Sequence, residues 1–378
     1  MSSFAEEDEE YVKSVVPQFA RFGKVLQVQQ CSAAKVEVEP GQVEAFYKKS
    51  CVAVLQQISP RNSEDKWKVT LESFRNEHRF LGDNQQLIEL HGKGVGIPKV
   101  LALHQSNTSS DFSTVFRTVL EYLTPSQFRE ERRYGLEDAK RILEWLARFH
   151  EHFTERSTDK GYLEQGGWWR KPLRPTVKFD HLLLTVRHLC QQFPNSLSHN
   201  VARAGDEVWL DLTKWKQLDR FRLALGPNRT LMHGDCKSSN FFLSRNGEGV
   251  TGIDFQWVGG SPTGAGDVVY LLFGSVELVW EREAELKQWY LSRRQGVCPE
   301  AFDLEFDLEL LDYFTTVCPY LLADLTPKRM GKNLAKYGYL TYEDDEPSLR
   351  YFFERVIKAY GRIKSEFEKE EAKRQRMG

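Results

Sequence analysis

Leu231-Met232-His233-Gly234-Asp235-Cys236-Lys237-Ser238-Ser239-Asn240-Phe241-Phe242-Leu243, followed by Val250-Thr251-Gly252-Ile253-Asp254-Phe255-Gln256, decides the fold of this chain. Residues 241–244 and 250–254 read as two short apolar strands. Between them, Arg245-Asn246-Gly247-Glu248-Gly249 is a turn sequence with two glycines. Folding about Gly247 brings Asn240 and Asp254, equidistant from it, to the open end of a hairpin. A carboxylate and an amide oxygen held on rigid strands are suitable hard ligands for Mg²⁺, which keeps water and phosphate oxygens in its other positions. Asp235, on the loop entering the hairpin, is placed to take the proton of an incoming hydroxyl. Lys237, between Asp235 and Asn240, is placed to set a positive charge against a transferring phosphoryl group.

His233-Gly234-Asp235 with Asn240, then Asp254-Phe255-Gln256, resembles the catalytic signature of the aminoglycoside phosphotransferase, choline kinase and ecdysteroid kinase-like group. Within it the CHK kinase-like branch is the nearest in pattern. The resemblance implies a two-lobed protein-kinase-like fold. It also implies ATP- and Mg²⁺-dependent transfer of the γ-phosphate to a hydroxyl of a small molecule. By the same resemblance Asp235 is the catalytic base, and Asn240 and Asp254 bind magnesium. The Asp-x-Lys-x-x-Asn spacing of Asp235, Lys237 and Asn240 also matches the catalytic loop of eukaryotic protein kinases. Val119-Leu120-Glu121-Tyr122-Leu123 is similar to the strand and hinge whose backbone bonds adenine, which implicates Glu121, Tyr122 and Leu123 in nucleotide binding. Leu146-Ala147-Arg148-Phe149-His150 resembles the end of the helix before the catalytic loop. Asp267 resembles the aspartate that caps the next helix and steadies that loop. His233 reads as structural. The resemblance spans roughly residues 97–275. Only residues 255–266 separate Asp254 from Asp267, leaving little room for the segment that positions a peptide. The acceptor pocket is therefore expected from residues 157–230 and the C-terminal helices.

Outward from the motif, the pattern predicts an α+β chain with a small mixed-sheet N-lobe and a larger helical C-lobe. Strands are expected at 25–28, 35–38, 51–55, 97–103 and 115–123, with a short helix near residues 12–19 and another over 69–80. The clearest helix runs from Glu137 to Phe153, with Ala139, Ile142, Leu143, Leu146, Phe149, His150 and Phe153 on one face. The expected division is residues 1–118 as nucleotide lobe, 119–124 as hinge and 125–378 as catalytic and acceptor lobe.

The pattern departs from the family in the first lobe. Cys31-Ser32-Ala33-Ala34 stands where a glycine-rich phosphate loop is expected. The strand expected to carry a phosphate-pairing lysine presents Gln56 and Gln57, and a neutral amide does not replace an ammonium there. Lys68 is the lysine assigned to the phosphates, with Lys66, Lys48 and Lys49 as further options. Glu77 has two readings: the helix glutamate that pairs with such a lysine, or a solvated helix charge. Trp168-Trp169-Arg170 reads either as packing or as acceptor-pocket lining. These gaps leave a second hypothesis, a kinase-fold pseudoenzyme that binds nucleotide or a partner without phosphoryl transfer.

Composition narrows the classes. The 378 residues exceed what one core usually serves, so two lobes are natural. A formal net charge of −2 with both signs mixed argues against nucleic-acid or membrane partners. Six scattered cysteines without a CxxC pair read as reduced thiols. An acidic first ten residues and no long apolar run predict a soluble, cytoplasmic protein.

Overall fold

The computed structural model describes residues 6–16, 19–23, 26–28, 31–38, 44–53, 56, 64–106, 111–154, 161–168, 186–187, 190–191, 208, 225–247, 249–324 and 346–377. They divide into two units, Met1–Arg129 with Phe242–Val258 and Glu130–Phe241 with Gly259–Gly378.

In the first unit Glu6, Glu7, Asp8 and Glu9 open α1 (Glu6–Val15), where negative charge suits a helix N-terminus. Strands β1 (Phe19–Phe22), β2 (Leu26–Val28), β3 (Cys31–Val38) and β4 (Ala45–Ser50) follow, then helices α2 (Glu64–Gly82) and α3 (Asn84–Gly92). Strands β5 (Val100–Gln105) and β6 (Phe116–Glu121) complete an antiparallel sheet in the order β1-β3-β4-β6-β5, with β2 also on β3. Side chains alternate across it. Ala45 and Tyr47 join Val36 and Val119 in a cluster with Val12 and Val16 on the α1 face. On the opposite face Phe116 packs with Val52 and with Trp67, Leu71 and Phe74 of α2.

Two expectations shift here. The strand expected at 51–55 lies at 45–50, and Val52 and Ala53 are helical. Val-Ala-Val-Leu is the more strand-like run, but Val52 is buried beneath Trp67. Lys48 and Lys49, which hide the true strand, carry their charges past its faces to carboxylates. Cys31–Ala34, expected as a phosphate loop, lies within β3, in register with β2 on one side and β4 on the other. Its backbone groups belong to sheet ladders.

A second, three-stranded sheet holds β7 (Phe128–Arg129), β9 (Phe241–Ser244) and β10 (Val250–Gly252) in the order β10-β9-β7. The hairpin turns at Gly247, whose φ of 85° favours glycine. Gly96 bridges to Thr251, and a Cβ there would stand 2.3 Å from the Val250 carbonyl oxygen. The hairpin thus packs with the first unit, whereas the sequence division assigned all residues after 124 to the second lobe.

The second unit contains α4 (Leu136–Phe153), the two-stranded pair β8 (Thr230–Met232) and β11 (Gly259–Ser261), then α5 (Ala265–Ser275), α6 (Val279–Leu291), α7 (Pro299–Asp324) and α8 (Glu346–Met377). Every residue assigned to the buried face of α4 is buried, joined by Trp145, Ala147 and His152. Helix α5 is apolar nearly all round and lies in the core. Phe352 and Phe353 of α8 pack against Phe273 and Phe314. The class is α+β, a sheet-rich unit and a larger helical one, as the kinase-like reading expects. Among the described residues no helix is long and apolar enough to cross a membrane.

Candidate active site

In the second unit the loop after β8 is held from below by one carboxylate. Asp267, in the first turn of α5 and fully buried, accepts the backbone N–H of His233 at 2.6 Å and of Gly234 at 2.8 Å. Gly234 takes a φ of 83°, which lets the chain turn both N–H groups toward it. His150, the buried histidine near the end of α4, completes the support. Its Nε2–H donates to Asp267 at 3.0 Å and its Nδ1 accepts the Tyr290 hydroxyl at 2.7 Å. Burial pushes the Asp267 carboxyl up, but the hydrogen bond from His150, with the Gly234 N–H, brings it below its ordinary value. Burial lowers His150, so its ring stays neutral and keeps this tautomer. Asp267 therefore steadies the loop, while the N-cap position of α5 is Gly264 without a side-chain cap.

His233 is structural in geometry. Its Nδ1 accepts the Asp235 N–H at 3.3 Å and its ring lies against Trp145 and Phe241. Asp235 is 3% exposed. Its Oδ2 accepts Lys237 Nζ at 2.6 Å and Asn240 Nδ2 at 3.0 Å; the same amide donates to the Asp235 carbonyl at 2.8 Å. Its Oδ1 is buried and accepts no hydrogen bond among the described residues. Residues 238–240 form one 3₁₀ turn, pinned by Ser238 N–H on Ser275 Oγ and by the Tyr134 hydroxyl on the Ser238 carbonyl. Asn240 ends that turn and leads directly into β9. Cys236 is buried, and burial, then the Asp267 charge, push its thiol well up, so it is an unreactive filler.

The first unit carries the remaining charged residues. Lys48, on β4, donates to Glu77 of α2 at 2.8 and 3.0 Å and lies 3.3 Å from Asp254 Oδ1. Glu77 is 5% exposed, which excludes the solvated-charge reading. Burial raises its pKa first, against the Lys48 ammonium, and the Asp254 charge adds to the rise. Lys68 is not brought to Glu77. Their separation of nine positions on α2 amounts to roughly two and a half turns, which puts them on opposite faces. Lys68 is exposed and pairs with Glu64.

Asp254 adopts φ 67° and ψ 64°, a left-handed conformation that costs a non-glycine residue free energy. The next turn is fixed: Asn76 Nδ2 donates to the carbonyls of Gln256 and Val258 at 3.0 and 2.8 Å, and Phe255 stacks on Phe80 at 4.1 Å. Sequence reasoning gave Asn76 no role and left Lys48 as an option. The available signal for Lys48 was the alternation of Ala45 and Tyr47 around it. At the hinge, the N–H of Glu121 bonds the Lys99 carbonyl and that of Tyr122 bonds the Glu44 carbonyl, whereas that of Leu123 bonds nothing among the described residues. Trp168 is half-buried against Tyr270, in keeping with packing; Trp169 and Arg170 lie outside the described residues.

The family model described as the phosphotransferase enzyme family (APH) matches residues 61–284, more than half of the chain. The chain belongs to this family. Its activity class is that of a small-molecule phosphotransferase. No curated protein matches the phosphotransferase. Solved structures similar to it include an aminoglycoside phosphotransferase from Alicyclobacillus acidocaldarius, with 14% identity, 97% of this chain and 98% of that one covered, and a TM-score of 0.45. An ethanolamine kinase from Plasmodium vivax has 13% identity, 92% and 85% coverage and a TM-score of 0.41. The GDP complex of aminoglycoside 2'-phosphotransferase-IIIa has 14% identity, 94% and 98% coverage and a TM-score of 0.46.

Proposed function

We propose that this phosphotransferase moves the γ-phosphate of ATP to a hydroxyl of a small molecule, with Asp235 as the base and magnesium held by Asn240 and Asp254. The observation that carries the reading is the Asp235 carboxylate. One oxygen is fixed by Lys237 and Asn240, and the other is buried without a hydrogen-bond partner among the described residues. An acceptor O–H supplies the missing donor. As its oxygen bonds the γ-phosphorus, the proton passes to Oδ1, the bond to the β-phosphate oxygen breaks and ADP leaves.

Each of the two residues offers a donor of the kind that suits a magnesium ion. Asn240 commits its amide nitrogen to Asp235, which leaves its oxygen for a cation, and Asp254 adds a half-exposed carboxylate. These are hard oxygen donors of the kind magnesium takes alongside phosphate. When bound, the ion offsets charge on the phosphate oxygens. Lys48, oriented by Glu77, meets the phosphates, and Lys237 balances the charge beside Asp235. At the hinge the Leu123 N–H and the Glu121 carbonyl take the adenine edge. The paired lysine that the second hypothesis found wanting is supplied by Lys48, which favours transfer over binding alone.

The test is transfer of labelled phosphate from Mg-ATP into a metabolite extract by the full chain. Asp235→Asn is expected to lower turnover by about 10²–10⁴-fold, the usual contribution of a general base, and to leave ATP affinity unchanged. Calorimetry that detects no Mg²⁺-dependent ATP binding would falsify the reading. Binding with no transfer into any compound of the extract favours the pseudoenzyme.

A further inference from the structure

Behind the sheet of the first unit lies a cluster of charges that phosphoryl transfer does not use. Asp8 of α1 is fully buried, and its carboxylate accepts three donors: Tyr47 Oη at 2.9 Å, Lys49 Nζ at 2.7 Å and Arg117 Nε at 3.1 Å. Arg117, itself 3% exposed, also bonds Glu7 of the same helix at 2.6 Å. Burial alone would raise the Asp8 carboxyl, but the hydrogen bonds from Lys49, Tyr47 and Arg117 hold it below its ordinary value, so it stays ionised. A helix serving only as an apolar cover would need no more than Val12 and Val16, which already fill that face. Burying charges costs desolvation free energy, and their best-attested return is a single register between the elements they join.

That register concerns one residue. Tyr47 and Lys49 are the two neighbours of Lys48 on β4, and the strand's alternation sends them to α1 and Lys48 to Glu77 on the opposite face. Arg117 lies opposite Lys49, and Val119 opposite Tyr47, on β6. Asp8 therefore ties the two residues flanking Lys48 to the neighbouring strand. Both α1 and β4 precede residue 61, where the family match begins.

We propose that α1 is a clamp that sets Lys48 from behind the sheet, with Asp8 as its positioning residue, and that loosening it weakens nucleotide binding. The inference rests on the reading of Lys48 as the phosphate-binding lysine. The experiment measures Mg-ATP affinity by calorimetry on the full chain. In parallel, pulse acetylation with mass mapping follows Lys48, with Lys140 of the second unit as control. Asp8→Asn is expected to weaken Mg-ATP binding about tenfold, the range of coupling between residues sharing one network. It is also expected to speed acetylation of Lys48 and not of Lys140. Tyr47→Phe, which deletes one hydroxyl, is expected to do both to a smaller degree, and it carries the test if Asp8→Asn does not fold. Folded variants with lowered melting temperature but wild-type affinity and Lys48 reactivity overturn the clamp, because Asp8 is then structural only. Absence of Mg-ATP binding to the wild type, or binding indifferent to Lys48→Met, overturns the reading of Lys48 and the clamp together.

Discussion

Single positions in this phosphotransferase are constrained by contacts that their residue types alone do not announce. Gly264 is one. It adopts a φ of 87°, and a Cβ there would meet His150 Nδ1 at 2.6 Å. The ring cannot retreat, because one nitrogen accepts the Tyr290 hydroxyl and the other donates to Asp267. Gly264→Ala therefore combines a left-handed penalty with overpacking, and we expect a loss of about 2–4 kcal/mol in denaturant unfolding. A loss under about 0.5 kcal/mol, the scale of an ordinary surface change, would contradict the tight contact. Asp235 and Asn240 were legible in the sequence because their spacing is local. The Oδ1 of Asp235, without a partner among the described residues, was not, since its surroundings depend on which donors fold against it.

At the scale of elements, α2 joins two functions through three consecutive residues. Glu77 holds Lys48, Asn76 holds the turn after Asp254, and His78 packs on β6 with Nε2 3.2 Å from Thr118 Oγ1 and its ring edge-on to Phe116. Burial first, then the charges of Lys48 and His104, lower the pKa of His78 from 6.5 to about 4. The sign follows from proton uptake. Between these values the unfolded chain binds a proton that the folded chain does not, so stability falls as pH drops from about 6.5 to about 4. The loss is at most about 3 kcal/mol, discounted because the ring is only half-buried. Urea titrations at pH 7 and pH 5 should give a smaller difference for His78→Gln than for wild type. Equal differences would show that His78 does not titrate in this window. The helix itself was expected over 69–80 and runs over Glu64–Gly82. The role of its residues was obscured because Glu77, with two readings, stands among Arg75, Asn76, His78 and Arg79, a polar run that looks like surface.

At the scale of the whole molecule, a ligand that binds only the folded chain stabilises it by mass action. Mg-ATP at about a hundred times its dissociation constant is expected to add about 2.7 kcal/mol, seen as a rise in melting temperature that chelation of the metal removes. A melting temperature indifferent to Mg-ATP would remove nucleotide binding from the account. The sequence by itself determined what local order can encode. The loop from His233 to Asn240, the glycine turn of the hairpin, the buried stripe of α4 and the α+β class all rest on residues a few positions apart. Tertiary structure alone decided which lysine faces Glu77, that Asn76 holds the turn after Asp254, that the hairpin joins the first unit, and that Asp8 lies buried behind Lys48. The physical reason is that a charged residue looks the same in sequence whether it meets water or a partner. Burial distinguishes them, and burial is set by faces that pair only when distant segments of the chain come together.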